Sequence, residues 1–175
     1  MTKNQRLVYI ALLAAQAVII SILERAIPFP FAFAPGAKLG LANIITCMAL
    51  YTLSVRDVSK VVAIRLILAT LLGGNLSSFM YSAAGSILSL LGMLAVKQLG
   101  PSRISLIGVS VAGAIMHNIG QLAIASWIAQ TWTVLLYLPV LSFLGILSGI
   151  AIGIMANYLL THVEKLVYYK YLKEE

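Results

Sequence analysis

Arg65, His117, Asn118 and Gln121 fall inside long apolar runs, where an ionisable or amide side chain is costly unless it meets a cavity or a partner group. His117 and Gln121 are four residues apart and therefore share one helix face. Such groups can hydrogen-bond a polar solute, and Lys38 and Arg65 can neutralise an anionic part of it. Asn43, Asn75 and Tyr81 add donors and acceptors in neighbouring runs. Each has a structural reading as well: His117 can bond an adjacent helix, Asn75 can cap one, and Arg65 can snorkel to the interface.

Several chemistries are excluded by what the chain lacks. Asp57 is the sole aspartate, so the clustered aspartates that hold Mg²⁺ on a prenyl diphosphate are missing. No G-x-x-x-x-G-K-[ST] run exists to hold a nucleotide. Ser86 after Gly85 could be paired with His117 for hydrolysis, but it lacks a recognisable nucleophile motif. His117 lacks neighbouring thiolates or carboxylates that would complete a metal site. No catalysis, cofactor or metal is expected. The single cysteine, Cys47, lies in an apolar run and reads as packing.

The elements that must position these groups are membrane helices. The 175 residues are 61% hydrophobic and 10% charged, with a mean hydropathy of +1.01. Apolar runs divided by charges or Gly/Pro clusters predict an all-α integral membrane protein with six transmembrane helices at about 7–26, 39–54, 57–76, 78–97, 104–129 and 137–162, forming one domain over 1–175. The first run is expected to remain a span rather than a cleaved signal peptide.

Nine of the twelve basic residues fall on one side of this arrangement, which predicts both termini in the cytoplasm of a cell membrane. The net charge of +7 is scattered over those loops and forms no groove for nucleic acid. Tyr168, Tyr169 and Tyr171, interleaved with lysines, suit an anchor at the lipid surface. Gly145, Gly149 and Gly153 make a smooth packing face on the last span, and Ala11 and Ala15 share a face of the first.

At about 1.5 Å per residue, His117 and Asn118 lie about 20 Å from the basic side, in the outer half. Asn43, Asn75, Tyr81 and Gln121 reach similar depths. Glu24, Arg25 and Lys38 flank the loop between the first two spans at that level. Pro28, Pro30 and Pro35 stiffen the loop, and Gly36 and Gly40 permit close backbone approach, as a lid over an outward pocket requires.

Glu24 with Ile27-Pro28, the run PGAKLGLAN at 35–43, Arg65 and HNIGQ at 117–121 together resemble the Gx transporter family, also labelled heptaprenyl diphosphate synthase component I. That family is similar to the substrate-binding S components of energy-coupling factor (ECF) importers. The resemblance implies a six-helix bundle that binds a small solute under its first loop. It also implies an Ala11/Ala15 face docking onto a transmembrane coupling subunit with its ATPases. No vitamin-specific pocket signature is present, so the solute is expected only to be partly apolar, such as a vitamin-like compound or a quinone or isoprenoid precursor. From a different class, a membrane scaffold or accessory subunit for isoprenoid quinone synthesis or electron transfer fits the same composition.

Overall fold

The computed structural model describes residues 2–26 and 38–165. The predicted lid residues Pro28, Pro30, Pro35 and Gly36 and the tyrosine-rich tail lie outside them. Six α-helices follow in order: α1 Lys3–Ala26, α2 Asn43–Thr52, α3 Val55–Leu71, α4 Leu76–Lys97, α5 Leu106–Ala129 and α6 Leu138–Lys165. A 3₁₀ helix, Trp132–Tyr137, leads into α6, and Pro139 falls in the first turn of α6, where a missing N–H costs little.

Local chemistry marks the boundaries. Asn75 Oδ1 accepts from Ser78 N at 2.7 Å to cap α4, and Ser105 Oγ accepts from Gly108 N at 3.2 Å to cap α5. Among the described residues four segments are long and apolar enough to cross a membrane: α1, α4, α5 and the stretch Trp132–Val163. The two remaining helices are shorter than the predicted spans 39–54 and 57–76. α2 has ten residues, about 15 Å, and α3 has seventeen, about 26 Å, against a hydrocarbon layer of about 30 Å. Their shortening follows from the turn around Gly40 before α2 and the extended Leu53–Ser54 link before α3.

Leu12, Ile19 and Leu23 on α1, and Phe143, Leu147 and Ile154 on α6, are exposed, whereas Glu24, Asn43, Arg65, His117 and Gln121 are buried. A water-soluble bundle has the opposite distribution. The protein is therefore a multi-pass membrane protein in architecture. Its main apolar core takes side chains from all six helices, including Leu13, Met48, Val58, Met93, Val109 and Ala156.

α5 is the spine, packed along both α4 and α6. Small residues bring these backbones together. A Cβ on Gly120 would lie 2.6 Å from Ala84 O, and one on Gly149 would lie 2.6 Å from Val111 Cα. The stripe Gly145, Gly149 and Gly153 is thus packing against α5, as its spacing suggests. At Gly92 the nearest atom is Met116 Cγ, part of a flexible side chain.

Gly120→Ala is expected to destabilise the protein by about 1–3 kcal/mol through overpacking against backbone, and Gly92→Ala by less because Met116 can move. Thermal unfolding of the two variants in the same detergent measures the order.

Candidate functional site

The site begins with Glu24 in the last turn of α1. Its Oε1 accepts from Gly40 N at 2.5 Å and from Leu41 N at 3.0 Å, fastening the entry of α2 to α1. Only glycine suits position 40. Its φ is +82°, and a Cβ there would lie 3.0 Å from both Asn43 Nδ2 and His117 Cδ2. The GLAN run is therefore a turn pressed against α5.

A second fastening comes from α5. Gln121 Oε1 accepts from Lys38 N at 3.3 Å, and Gln121 Nε2 donates to Lys38 O at 3.1 Å. Nε2 also lies 2.7 Å from His117 Nε2. Because Lys38 N requires the oxygen, the amide assignment is set by the network, and Nε2 can only donate. His117 Nε2 must then accept, leaving the imidazole proton on Nδ1. That Nδ1 is buried and faces the backbone of Gly85 on α4.

Between these fastenings and the helices lies a cavity of about 20 Å³, room for about one water. Ser21 and Glu24 of α1, Lys38, Arg65 of α3, Ser86 of α4 and His117 of α5 line it. Arg65 donates to Ser86 Oγ, and Arg25, at the same cavity, donates to Ala69 O. The unpaired buried polar atoms at or beside it include Arg25 Nε, both amide atoms of Asn43 and Ser82 Oγ. Buried polar atoms left unpaired are costly, and their concentration around one cavity points to groups that meet a solute or water.

Three cations, Arg25, Lys38 and Arg65, face a single carboxylate, Glu24, across this cavity. Burial, joined by the Arg25 charge and, more weakly, by Arg65, draws the Lys38 ammonium down to about 8 despite the opposing pull of Glu24. The site thus holds more cations than its one carboxylate can neutralise.

Of the residues singled out by sequence, Lys38, Arg65 and His117 reach the cavity wall, and Asn43 and Gln121 stand directly behind it. Three do not converge there. Asn118 Nδ2 donates to Leu141 O at 2.7 Å and ties α5 to α6, because a one-residue step along a helix turns the side chain to another face. Tyr81 packs with Ala125 in a small separate cluster touched by Ile124 and Val134. Asn75 is exposed and engaged in capping α4. Ala11 and Ala15 are both exposed on α1.

Glu24 and Ser86 carry more of the site than their sequence context signals. Glu24 looks like a surface charge beside Arg25, and its partners come sixteen and seventeen residues later. Ser86 accepts from Arg65, and neither ring nitrogen of His117 bonds to it, so no Ser–His nucleophile is assembled. Asp57 lies at the other end of α3, bonded to Arg6 and Lys60. Among the described residues no three His, Cys, Asp or Glu groups gather as a metal site would need.

A family model, heptaprenyl diphosphate synthase component I, matches residues 13–159. The chain belongs to this family. The matched stretch contains both fastenings and every cavity residue named above, so the site is built within the component I region. Neither a curated protein nor a solved structure matches the chain.

Glu24→Ala is expected to raise the hydrogen–deuterium exchange rates of the Gly40 and Leu41 amides about 10- to 100-fold, the loss of two charge-assisted bonds. Exchange within α4, which Glu24 does not touch, provides the internal reference.

Proposed function

We propose that this component I protein is the non-catalytic, substrate-binding membrane subunit of an importer of the energy-coupling factor type. The observation that carries the reading is the cation-rich polar cavity, with its unpaired buried groups, set in a bundle whose exterior is apolar. A packing network would be expected to satisfy its members. Here Arg25 Nε and Ser82 Oγ on the cavity wall, and both amide atoms of Asn43 beside Gly40, remain unsatisfied.

In this reading the basic asymmetry of the chain places the cavity toward the outside and both termini in the cytoplasm. A small solute enters from outside, and an anionic group on it meets Lys38 and Arg65 against the His117 wall. With space for about one water, the cavity must widen to admit such a solute. Release of residues 38–41 from Glu24 and Gln121 would widen it, and the connecting loop with Pro28, Pro30, Pro35 and Gly36 would serve as its lid. The exposed Ala11 and Ala15 offer α1 a smooth face for a transmembrane coupling subunit and its ATPases.

The family description favours a second reading, an accessory subunit of a prenyl diphosphate synthase. The sole aspartate, Asp57, is engaged with Arg6 and Lys60, which supports a non-catalytic part for the chain in such a pair. Native mass spectrometry of gently solubilised protein separates the two. The importer reading expects a retained solute, lost in His117→Ala and Arg65→Gln, and a coupling subunit released by Ala11→Leu with Ala15→Leu. An empty protein carrying a prenyl-chain enzyme would establish the accessory role instead.

Lys38 adds a pH signature. With its ammonium at about 8 in the empty site, affinity for an anionic solute should fall as pH rises through and above 8, by about tenfold or more once the charge is lost. A bound anion favours the protonated form, so the midpoint in the complex lies higher. Lys38→Met should bind weakly and lose this pH dependence, which a titration of solute binding between pH 6.5 and pH 10 would record, both limits being roughly set by the range over which Lys38 discharges.

A further inference from the structure

At the end of the bundle opposite the cavity, the first turns of α1 and α3 enclose a cleft of about 320 Å³. Lys3, Arg6, Arg56 and Lys60 surround it, and Leu7 and Ile10 form its apolar wall. Its one carboxylate among the described residues, Asp57, is buried and fully engaged. Arg6 Nε donates to Oδ2 at 2.6 Å, Ser54 Oγ donates to Oδ2 at 2.9 Å, and Lys60 Nζ donates to Oδ1 at 3.0 Å. Arg6 also reaches Ser54 Oγ at 3.0 Å, so α1, α3 and the link before α3 are tied at this corner.

Lys3 and Arg56 are exposed and make no ion pair with any described residue. Four cations against one carboxylate leave the rim strongly positive, and the N-terminal turns of two helices add their partial positive charge. The wall below is apolar. Leu7, Val8 and Val55 are each about half exposed at this level, and Ile64 and Ile67 continue the exposed apolar face of α3.

We propose that this cleft binds the phosphate-bearing headgroup of an anionic membrane phospholipid, with an acyl chain running along Leu7 and the exposed face of α3. A free phosphate would use the cations but have no use for the apolar wall, whereas a lipid uses both. The cleft's position at the end of α1, a helix of spanning length, puts the rim at headgroup level. The proposal is independent of what the cavity at the other end binds.

The test is native mass spectrometry of detergent-solubilised protein titrated with phosphatidylglycerol or phosphatidylcholine, for the natural chain and for Lys3→Gln with Arg56→Gln. Both substitutions are at exposed positions outside the Asp57 network, and thermal unfolding checks that the variant is folded; Arg56→Gln alone serves if the pair is not. The expected result is preferential retention of phosphatidylglycerol, weakened about 20-fold in the double variant and about fivefold in the single one, with phosphatidylcholine binding unchanged. Equal retention of the two lipids, or unchanged phosphatidylglycerol binding in the variant, overturns the proposal. Competition by millimolar inorganic phosphate, roughly at the weak end of small-ligand affinity, overturns the lipid as the source of the anion. A co-purifying acidic subunit lost in the variant while lipid retention stays the same overturns it in favour of a protein contact.

Discussion

A carboxylate placed at the end of a membrane helix needs donors, and in this protein it finds them in the backbone of the turn that leads into the next helix. Glu24 takes the N–H groups of Gly40 and Leu41, and the geometry of the site follows from that choice. The turn it holds brings Gly40 against His117, sets Asn43 at the start of α2 and delivers Lys38 to the cavity. Without the fastening, two N–H groups and a charge would all be unpaired in a low-dielectric interior. Gln121 repeats the device from α5, occupying both backbone groups of Lys38 and setting the His117 tautomer.

The spine helix α5 separates two duties by face. Gly120 admits α4, and the glycine stripe of α6 admits α5 on another side. His117 and Gln121 point into the site, while Asn118 between them bonds Leu141 O and belongs to the α5–α6 seam. Small residues make such an interface close, and a single amide across it gives direction without filling space. The result is a site whose α5 side is closely packed against α4 and α6. Its opposite side is held by discrete hydrogen bonds that can be exchanged for others.

Charge is distributed to match. At one end of α3, Arg65 is buried and joins Lys38 and Arg25 around Glu24; at the other, Asp57 is buried under Arg6 and Lys60. Each carboxylate organises a corner of the bundle and leaves cations over. The excess of positive charge therefore appears at both ends of the fold as two separate sites, one enclosed and one open to the surface, with an apolar core between them.

Much of the architecture was legible in the residues. Apolar runs of spanning length, broken by charge and Gly/Pro clusters, mark the helices, because lipid tolerates few alternatives to a helix. The glycine spacing of α6 marks its packing face for the same kind of reason: only small residues let helices touch. Lys38, Arg65 and His117 stand out because an ionisable group among apolar neighbours is expensive and must be accounted for. What no local pattern contains is which expensive groups meet. Depth along the bundle put Asn75, Tyr81, Asn118 and His117 at similar levels, but helix rotation and the short α2 sent the first three to a cap, a side cluster and a seam. Glu24 became central only because its acceptor oxygen found donors from a turn sixteen residues away. The sequence determined that polar groups must be paired inside this bundle, whereas the tertiary structure decided the pairs, since rotation about each helix axis is set by packing against every neighbour at once.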